Sequence, residues 1–141
     1  MEAIQQYMYP SECYHLPKLK TDLIDIIDSC CEERLKEIEI EWHNKKSLCV
    51  VLCSKGYPDK FKKKVEIKNI NQIQNTKNDF LFHAGTKIEN NKIYAIGGRV
   101  LNFVSISDDF NIAKDNIIKN LDKLNWTGGF YRKDIGYKVL K

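Results

Sequence analysis

Residues 80–107 are FLFHAGTKIENNKIYAIGGRVLNFVSIS, and this stretch decides the fold. Residues 80–87 have the apolar and aromatic content of a β-strand, Glu89-Asn90-Asn91 is typical of a turn, and residues 92–96 return as the partner strand. Residues 99–107 follow a Gly-Gly pair and predict a further strand. Strands joined by short turns predict a meander, and therefore a mainly antiparallel sheet.

Two more strands are predicted upstream of the meander. Residues 48–53 (Leu-Cys-Val-Val-Leu-Cys) form a short apolar run, which predicts a strand buried on both faces. Residues 64–68 alternate apolar and charged side chains, as a half-buried strand does. The polar residues 69–78 between this strand and the meander are expected to form a loop.

Two helices are predicted from the spacing of apolar residues. The first begins near Leu19, with Thr21 as its expected N-cap, and repeats apolar side chains at three- and four-residue steps to Leu35. The second begins at Ser107-Asp108-Asp109 and continues to Leu124. A chain of 141 residues fits one domain, so the predicted fold is a single α+β domain with a mainly antiparallel β-sheet and two flanking helices.

Composition limits the classes of function. The net charge is +4, but only three of the 23 basic residues are arginines, and lysine is heavily used together with asparagine and isoleucine. This usage indicates composition bias and solvated lysines, so no nucleic-acid partner is expected. The five cysteines include no CxxC pair, which favours reduced thiols over a zinc site. No apolar stretch is long enough to span a membrane and no signal pattern is present, so a cytoplasmic protein is expected.

Four segments in order resemble one known family. They are residues 50–58 (VVLCSKGYP), 82–87 (FHAGTK), 97–101 (GGRVL) and 130–136 (FYRKDIG). Together they are similar to the C-terminal domain of phosphoribosylamine–glycine ligase, an ATP-grasp enzyme of purine synthesis. The resemblance covers roughly residues 16–141 and implies the fold of the C-terminal domains of such ligases.

The stretch before the first helix departs from the family pattern. The family carries an Arg-Phe-Gly-Asp-Pro-Glu signature there, preceded by a glutamate and an asparagine that bind magnesium. Here the sequence is Tyr7-Met8-Tyr9-Pro10-Ser11-Glu12-Cys13, in which only Pro10 keeps its place. Residues 1–18, where Pro10 and Pro17 limit helix formation, are therefore interpreted as an irregular, degenerate remnant of the signature region. Residues 19–141 are interpreted as the C-terminal domain.

The resemblance also implies what the 141 residues lack. The complete family enzyme uses ATP and Mg²⁺, but the glycine-rich ATP-grasp loop, the adenine pocket and the N-terminal domain have no counterpart in this sequence. Phosphoryl transfer depends on metal-assisted positioning and charge neutralisation. The chain alone is therefore expected to bind no cofactor and to be inactive, and neither a catalytic residue nor a metal ligand is predicted.

Gly97-Gly98-Arg99 is the strongest candidate for contact with a substrate. Two glycines let backbone N–H groups approach a ligand, and an arginine holds phosphate through two donors. The alternative is a glycine turn with Arg99 in a structural ion pair. His83 is a second candidate, as an acid–base or hydrogen-bonding group, with Thr86 and Lys87 placed to meet an anionic substrate. The alternative for His83 is a partly buried residue with its hydrogen bonds satisfied.

Two further motifs are expected to be structural. Residues 54–58 (Ser-Lys-Gly-Tyr-Pro) lack the frame of a phosphate-binding P-loop and are expected to shape the domain. Asp134 is expected to fix the C-terminal tail, with a local ion pair to Arg132.

Three functional hypotheses follow from the resemblance. The first is a C-terminal ligase domain without activity of its own. The second is a subunit of a split ligase that works with an ATP-grasp fragment in trans, which predicts an exposed apolar patch. The third is a non-catalytic module that binds a phosphoribosyl small molecule, another phosphorylated nucleotide precursor or an acidic polymer through Arg99 and the lysines.

Overall fold

The computed structural model describes residues 10–73 and 75–139. Its helices and strands, in chain order, are α1 (Pro10–His15), α2 (Leu23–Cys31), β1 (Lys46–Ser54), β2 (Val65–Ile67), β3 (Asp79–His83), β4 (Thr86–Glu89), β5 (Lys92–Ala95), β6 (Arg99–Ser107), α3 (Phe110–Leu121) and β7 (Gly129–Phe130). Short 3-10 turns occupy Leu16–Lys18, Leu35–Glu37 and Ile70–Gln72.

The strands form two antiparallel sheets. The larger has the order β3-β6-β1-β7 and the smaller the order β2-β5-β4. The two longest strands, β1 and β6, pair from Lys46 opposite Ser107 to Leu52 opposite Leu101, and a register shift then places Cys53 opposite Arg99. The predicted α+β class with a mainly antiparallel sheet is confirmed.

Helix α3 covers one face of the larger sheet. Ala113, Ile117 and Leu121 of α3 are buried in one core cluster with apolar side chains of β1 and β6. The start of α3 is fixed by Asp109, whose carboxylate accepts a hydrogen bond from Asn111 N at 2.7 Å. The other face is met by α1, where the Cys13 Sγ accepts a hydrogen bond from Asn102 Nδ2 at 3.4 Å.

The burial of the long strands differs from the prediction. The sequence predicts a strand over 48–53 that is buried on both faces. In β1, however, buried residues alternate with half-buried ones. The strand that is buried on both faces is β6, in which residues 100–106 are all buried. The reason is position, because β6 has a strand on each side along most of its length, whereas β7 pairs only with the last two residues of β1.

The segment predicted as one strand over 80–87 is two strands in different sheets. β3 pairs with β6 in the larger sheet, whereas β4 pairs with β5 in the smaller one. The chain changes sheets at Ala84-Gly85 and returns at residues 96–98. The prediction of a single strand was therefore wrong, because the alternation of side chains does not show which partner each half takes.

The first predicted helix is shorter than expected and does not flank a sheet. It begins at Leu23, and its N-cap is Asp22, which accepts a hydrogen bond from Ile24 N at 2.8 Å; the expected N-cap Thr21 instead accepts one from Glu41 N. Leu23, Ile24 and Ile27 of α2 are exposed, and the two helices that flank the larger sheet are α1 and α3.

The N-terminal segment also differs from the prediction in part. Residues 1–9 lie outside the described residues, while residues 10–18 form α1 and a 3-10 turn rather than an irregular stretch. Pro10 is compatible with helix because it is the first residue of α1, where a missing N–H costs no hydrogen bond. Across the part of the chain that is described, no helix has the length and apolar character needed to cross a membrane.

Candidate functional site

The candidate residues lie at one end of the larger sheet. β1 and β3 finish at this end, β6 begins there, and β7 pairs with the last two residues of β1. The loop after β1 joins the same end, because Lys55 N donates to the carbonyl of Gly128 at 2.7 Å. Three separate loops therefore converge here, and only their convergence makes a site from residues that are distant in sequence.

Gly85 and Gly97 let the two chain crossings between the sheets touch. Gly85 O accepts hydrogen bonds from Ile96 N at 2.8 Å and from Gly97 N at 3.1 Å, and Gly85 N donates to Arg99 O at 3.0 Å. A Cβ on Gly85 would lie 2.5 Å from Arg99 O and 2.7 Å from Gly97 Cα. These glycines are required by backbone packing, and the Gly97 amide is already occupied within the fold.

Gly98 packs against the loop after β1. The ring of Tyr57 packs directly over Gly98, in the space that a Cβ would need. Ser54 binds the same backbone, since its N donates to Gly98 O at 2.8 Å and its Oγ donates to Gly97 O at 2.7 Å. The expectation that residues 54–58 shape the domain agrees with this geometry.

Arg99 is the candidate residue whose side chain remains available. It opens β6 opposite Cys53 and is exposed. Across residues 10–73 and 75–139, Arg99 takes part in no ion pair, so the alternative of a structural ion pair is not what the structure shows. Burial raises the pKa of the Cys53 thiol, and the nearby positive charge of Arg99 opposes that rise.

His83 and Thr86 form a pair across the first crossing. His83 Nδ1 lies 3.0 Å from Thr86 Oγ1, and His83 stands opposite Leu101 in the β3–β6 register. Burial lowers the pKa of His83, which favours the neutral ring at neutral pH. A neutral, half-buried histidine bonded to a hydroxyl matches the structural alternative, with β3 tied to β4.

Lys87 is directed into the smaller sheet. Its Nζ lies 2.9 Å from Glu89, and the same carboxylate pairs with Lys64 at 2.6 Å. The two lysines lower the pKa of Glu89 through these hydrogen bonds. The structure therefore brings Gly97, Gly98, Arg99, His83 and Thr86 to one crossing and engages Lys87 elsewhere.

The sequence prediction omitted two residue sets that build this end. The first set is Gly85, which belongs to the FHAGTK motif. Its close contact with Gly97 is seen only in the structure, where the two crossings meet. Trp126 is 8 % exposed and packs over Gly129, which sets β7 against β1.

The predicted ion pair of Arg132 with Asp134 is present at 2.6 Å.

Potential metal ligands are scattered rather than clustered. Among the residues that are described, no three histidine, cysteine, aspartate or glutamate side chains gather closely enough to hold a metal ion. Mg²⁺ is held by carboxylate and phosphate oxygens in near-octahedral geometry.

Comparison with known proteins gives one consistent family. Residues 47–138 match the family model described as phosphoribosylglycinamide synthetase, C domain. Phosphoribosylamine–glycine ligase from Caldanaerobacter subterraneus is 40 % identical over 120 residues, which is 85 % of this chain and 28 % of that protein. The ligase from Fusobacterium nucleatum is 41 % identical over 122 residues, 86 % of this chain and 29 % of that protein.

A solved structure agrees with these relatives. The crystal structure of phosphoribosylamine–glycine ligase from Thermotoga maritima superposes with a TM-score of 0.59 at 25 % identity, covering 78 % of this chain and 27 % of that one. The chain thus spans less than a third of the length of these proteins and matches the region that the family model calls the C domain. Since that family model covers well over half of the chain, the chain belongs to the phosphoribosylglycinamide synthetase C-domain family.

Proposed function

We propose that the chain acts as the C domain of a phosphoribosylamine–glycine ligase and is inactive without the remaining portion of such an enzyme. Family membership and the agreement with relatives in both sequence and fold support the proposal. In this proposal the remaining portion of the enzyme supplies the site for ATP and Mg²⁺. A cytoplasmic location belongs to the same proposal.

Arg99 is the residue proposed to contact the phosphoribosyl group. The single observation that carries this role is an exposed arginine with no ion pair among the described residues, held at the sheet end by the Gly85–Gly97 crossing. A guanidinium donates two parallel hydrogen bonds to a phosphate. Gly97 and Gly98 act by fixing the backbone of Arg99, and the His83–Thr86 pair acts by fixing the crossing.

Titration of the chain with phosphoribosylglycinamide, followed by calorimetry, tests this role. We expect saturable binding that is weakened about tenfold or more in Arg99→Ala, since a hydrogen bond to a charged group contributes about 1.5–3 kcal/mol. Lys46→Ala is the control, because it removes a cation at the opposite end of β1. ATP with Mg²⁺ is expected to give no heat.

Two other results would contradict the proposal. Binding that is equally strong in Arg99→Ala, and that falls steeply with salt, would indicate a generic lysine surface. Absence of binding by the folded chain would remove the substrate contact at Arg99. Binding with full Arg99 dependence, in a chain that never supports ligation with any partner, would favour the alternative of a non-catalytic binding module.

A further inference from the structure

The segment 16–42 exposes an apolar surface that the fold itself does not cover. On α2, Leu23, Ile24 and Ile27 are 44 %, 66 % and 50 % exposed. They follow the three- and four-residue spacing of one helix face. The same segment exposes Leu35, Ile40 and Trp42. Contiguous apolar surface of this kind marks an interaction site in soluble proteins.

Backbone hydrogen bonds and an ion pair hold the segment although several of its apolar side chains are exposed. Leu19 and Trp42 form an antiparallel bridge, Lys20 N donates to Glu41 O at 3.0 Å, and Lys20 forms an ion pair with Glu41. These contacts are polar and lie within the segment, and its only buried side chain is that of Ser29. The exposed apolar residues Leu23, Ile24 and Ile27 therefore take no part in these contacts and are open to another surface.

The extent of the match to the relatives indicates which protein surface could cover the apolar face of α2. The relatives match 120 or more residues of this chain, whereas the C-domain model covers residues 47–138. Only three residues follow position 138, so most of the additional matched residues precede residue 47. Less than a third of each relative is matched, so the region that precedes the C domain is the part of the match expected to adjoin the unmatched remainder.

Charge argues against two other occupants. Residues 16–42 contain eight acidic and four basic residues, a net charge of −4, in a chain whose net charge is +4. A symmetric dimer places the same patch against itself, so two acidic rims would meet. An anionic membrane surface is disfavoured for the same reason. A basic rim around an apolar surface is the complementary partner.

We propose that the apolar face of α2, formed by Leu23, Ile24 and Ile27, is the docking surface for the portion of phosphoribosylamine–glycine ligase that precedes the C domain. This inference rests on the proposed function, and it adds the place of contact and its chemistry. Docking removes the three side chains from water and sets the acidic rim of the segment against basic groups.

The test uses the N-terminal portion of the Fusobacterium ligase. Its association with its own C-terminal region is measured first, as the positive control. Sedimentation measures its association with the 141-residue chain. We expect association that is at least tenfold weaker in Ile27→Glu and Ile24→Glu, because a carboxylate is then buried among apolar groups. Ile112→Glu is the matched control, since Ile112 is 54 % exposed on α3.

Thiol labelling gives a second reading without substitution. Cys30 and Cys31 are exposed at the end of α2, whereas Cys53 is half-buried at the sheet end. We expect alkylation of Cys30 and Cys31 to slow at least tenfold in the complex, with Cys53 unchanged. Slower alkylation that persists in Ile27→Glu would overturn the assignment.

Three outcomes of the sedimentation test overturn the docking surface. They are failure of the wild-type chain to associate, association that Ile27→Glu and Ile24→Glu leave intact, and self-association of the chain through α2. The titration with phosphoribosylglycinamide uses the chain alone, so it separates the two proposals. Loss of docking with an intact Arg99-dependent titration removes the surface and leaves the substrate contact standing.

Discussion

At the scale of single residues, His83 shows how burial decides the role of an ionisable group. It stands opposite Leu101 in the register of the sheet and bonds to the hydroxyl of Thr86. Burial lowers its pKa below the ordinary value. The unfolded chain therefore takes up a proton at a higher pH than the folded chain, and folding loses stability as pH falls below about 6.5.

The substitution His83→Gln tests this linkage. The glutamine side chain keeps a polar partner for Thr86 but does not titrate, so the loss of thermal stability on acidification from neutral pH should be smaller than in the wild type. Equal slopes in wild type and His83→Gln would show that the ring is protonated as readily in the fold as in the unfolded chain.

At the scale of elements, the two crossings between the sheets are the tightest backbone contact of the site. The Gly85→Ala change would place a Cβ between Arg99 O and Gly97 Cα, and both are backbone atoms that cannot rotate away. Overpacking of this kind costs about 1–3 kcal/mol. We expect that loss in the free energy of unfolding measured with urea, together with weaker binding at Arg99 because its backbone is displaced.

The control for this change lies on the adjacent strand. Ile88 of β4 is 70 % exposed, and Ile88→Ala should change the free energy of unfolding by less than about 0.5 kcal/mol. If Gly85→Ala were as harmless as Ile88→Ala, the crossing would be loose, and the requirement for glycine would have to come from the ligand instead.

The elements also show what the sequence was able to predict. The short strand β2 and helix α3 were predicted close to their observed positions, because their apolar periodicity is complete within each element. The division of residues 80–87 between two sheets was not predicted, because the alternation of side chains along a strand is the same whichever sheet provides the partner. The apolar periodicity of α2 was detected correctly, but periodicity does not say whether the covering surface belongs to the same domain.

The candidate site was predictable to the same degree. Arg99 was identified from its residue type and its Gly-Gly neighbours, and its exposed position is consistent with that choice. The glycines are predicted to contact a ligand through their N–H groups; the Gly97 N–H donates to Gly85 O, whereas for Gly98 it is the carbonyl that is engaged, by Ser54 N. The contact of Ser54 with Gly97 joins residues that are 43 positions apart, and a local motif carries no information about it.

At the scale of the whole molecule, two surfaces of different chemistry remain outside the core. One is the sheet end with Arg99, and the other is the apolar face of α2 with its acidic rim. The buried cluster consists of residues between positions 48 and 126. The core therefore needs neither surface, and both are available for partners: a phosphate-bearing small molecule at the first and a polypeptide at the second.

The strongest consequence of this division is that activity should require two portions. We expect no ADP from ATP, phosphoribosylamine and glycine with the chain alone, and ADP formation when the N-terminal portion of the Fusobacterium ligase is added. Arg99→Ala should lower kcat/KM of the assembled pair by roughly 10- to 100-fold, the kinetic equivalent of one lost charged hydrogen bond. Lys46→Ala should leave it within about twofold. Because the loss belongs to substrate contact, sedimentation should show the Arg99→Ala pair still assembled; a pair that fell apart would instead place Arg99 at the contact between the two portions.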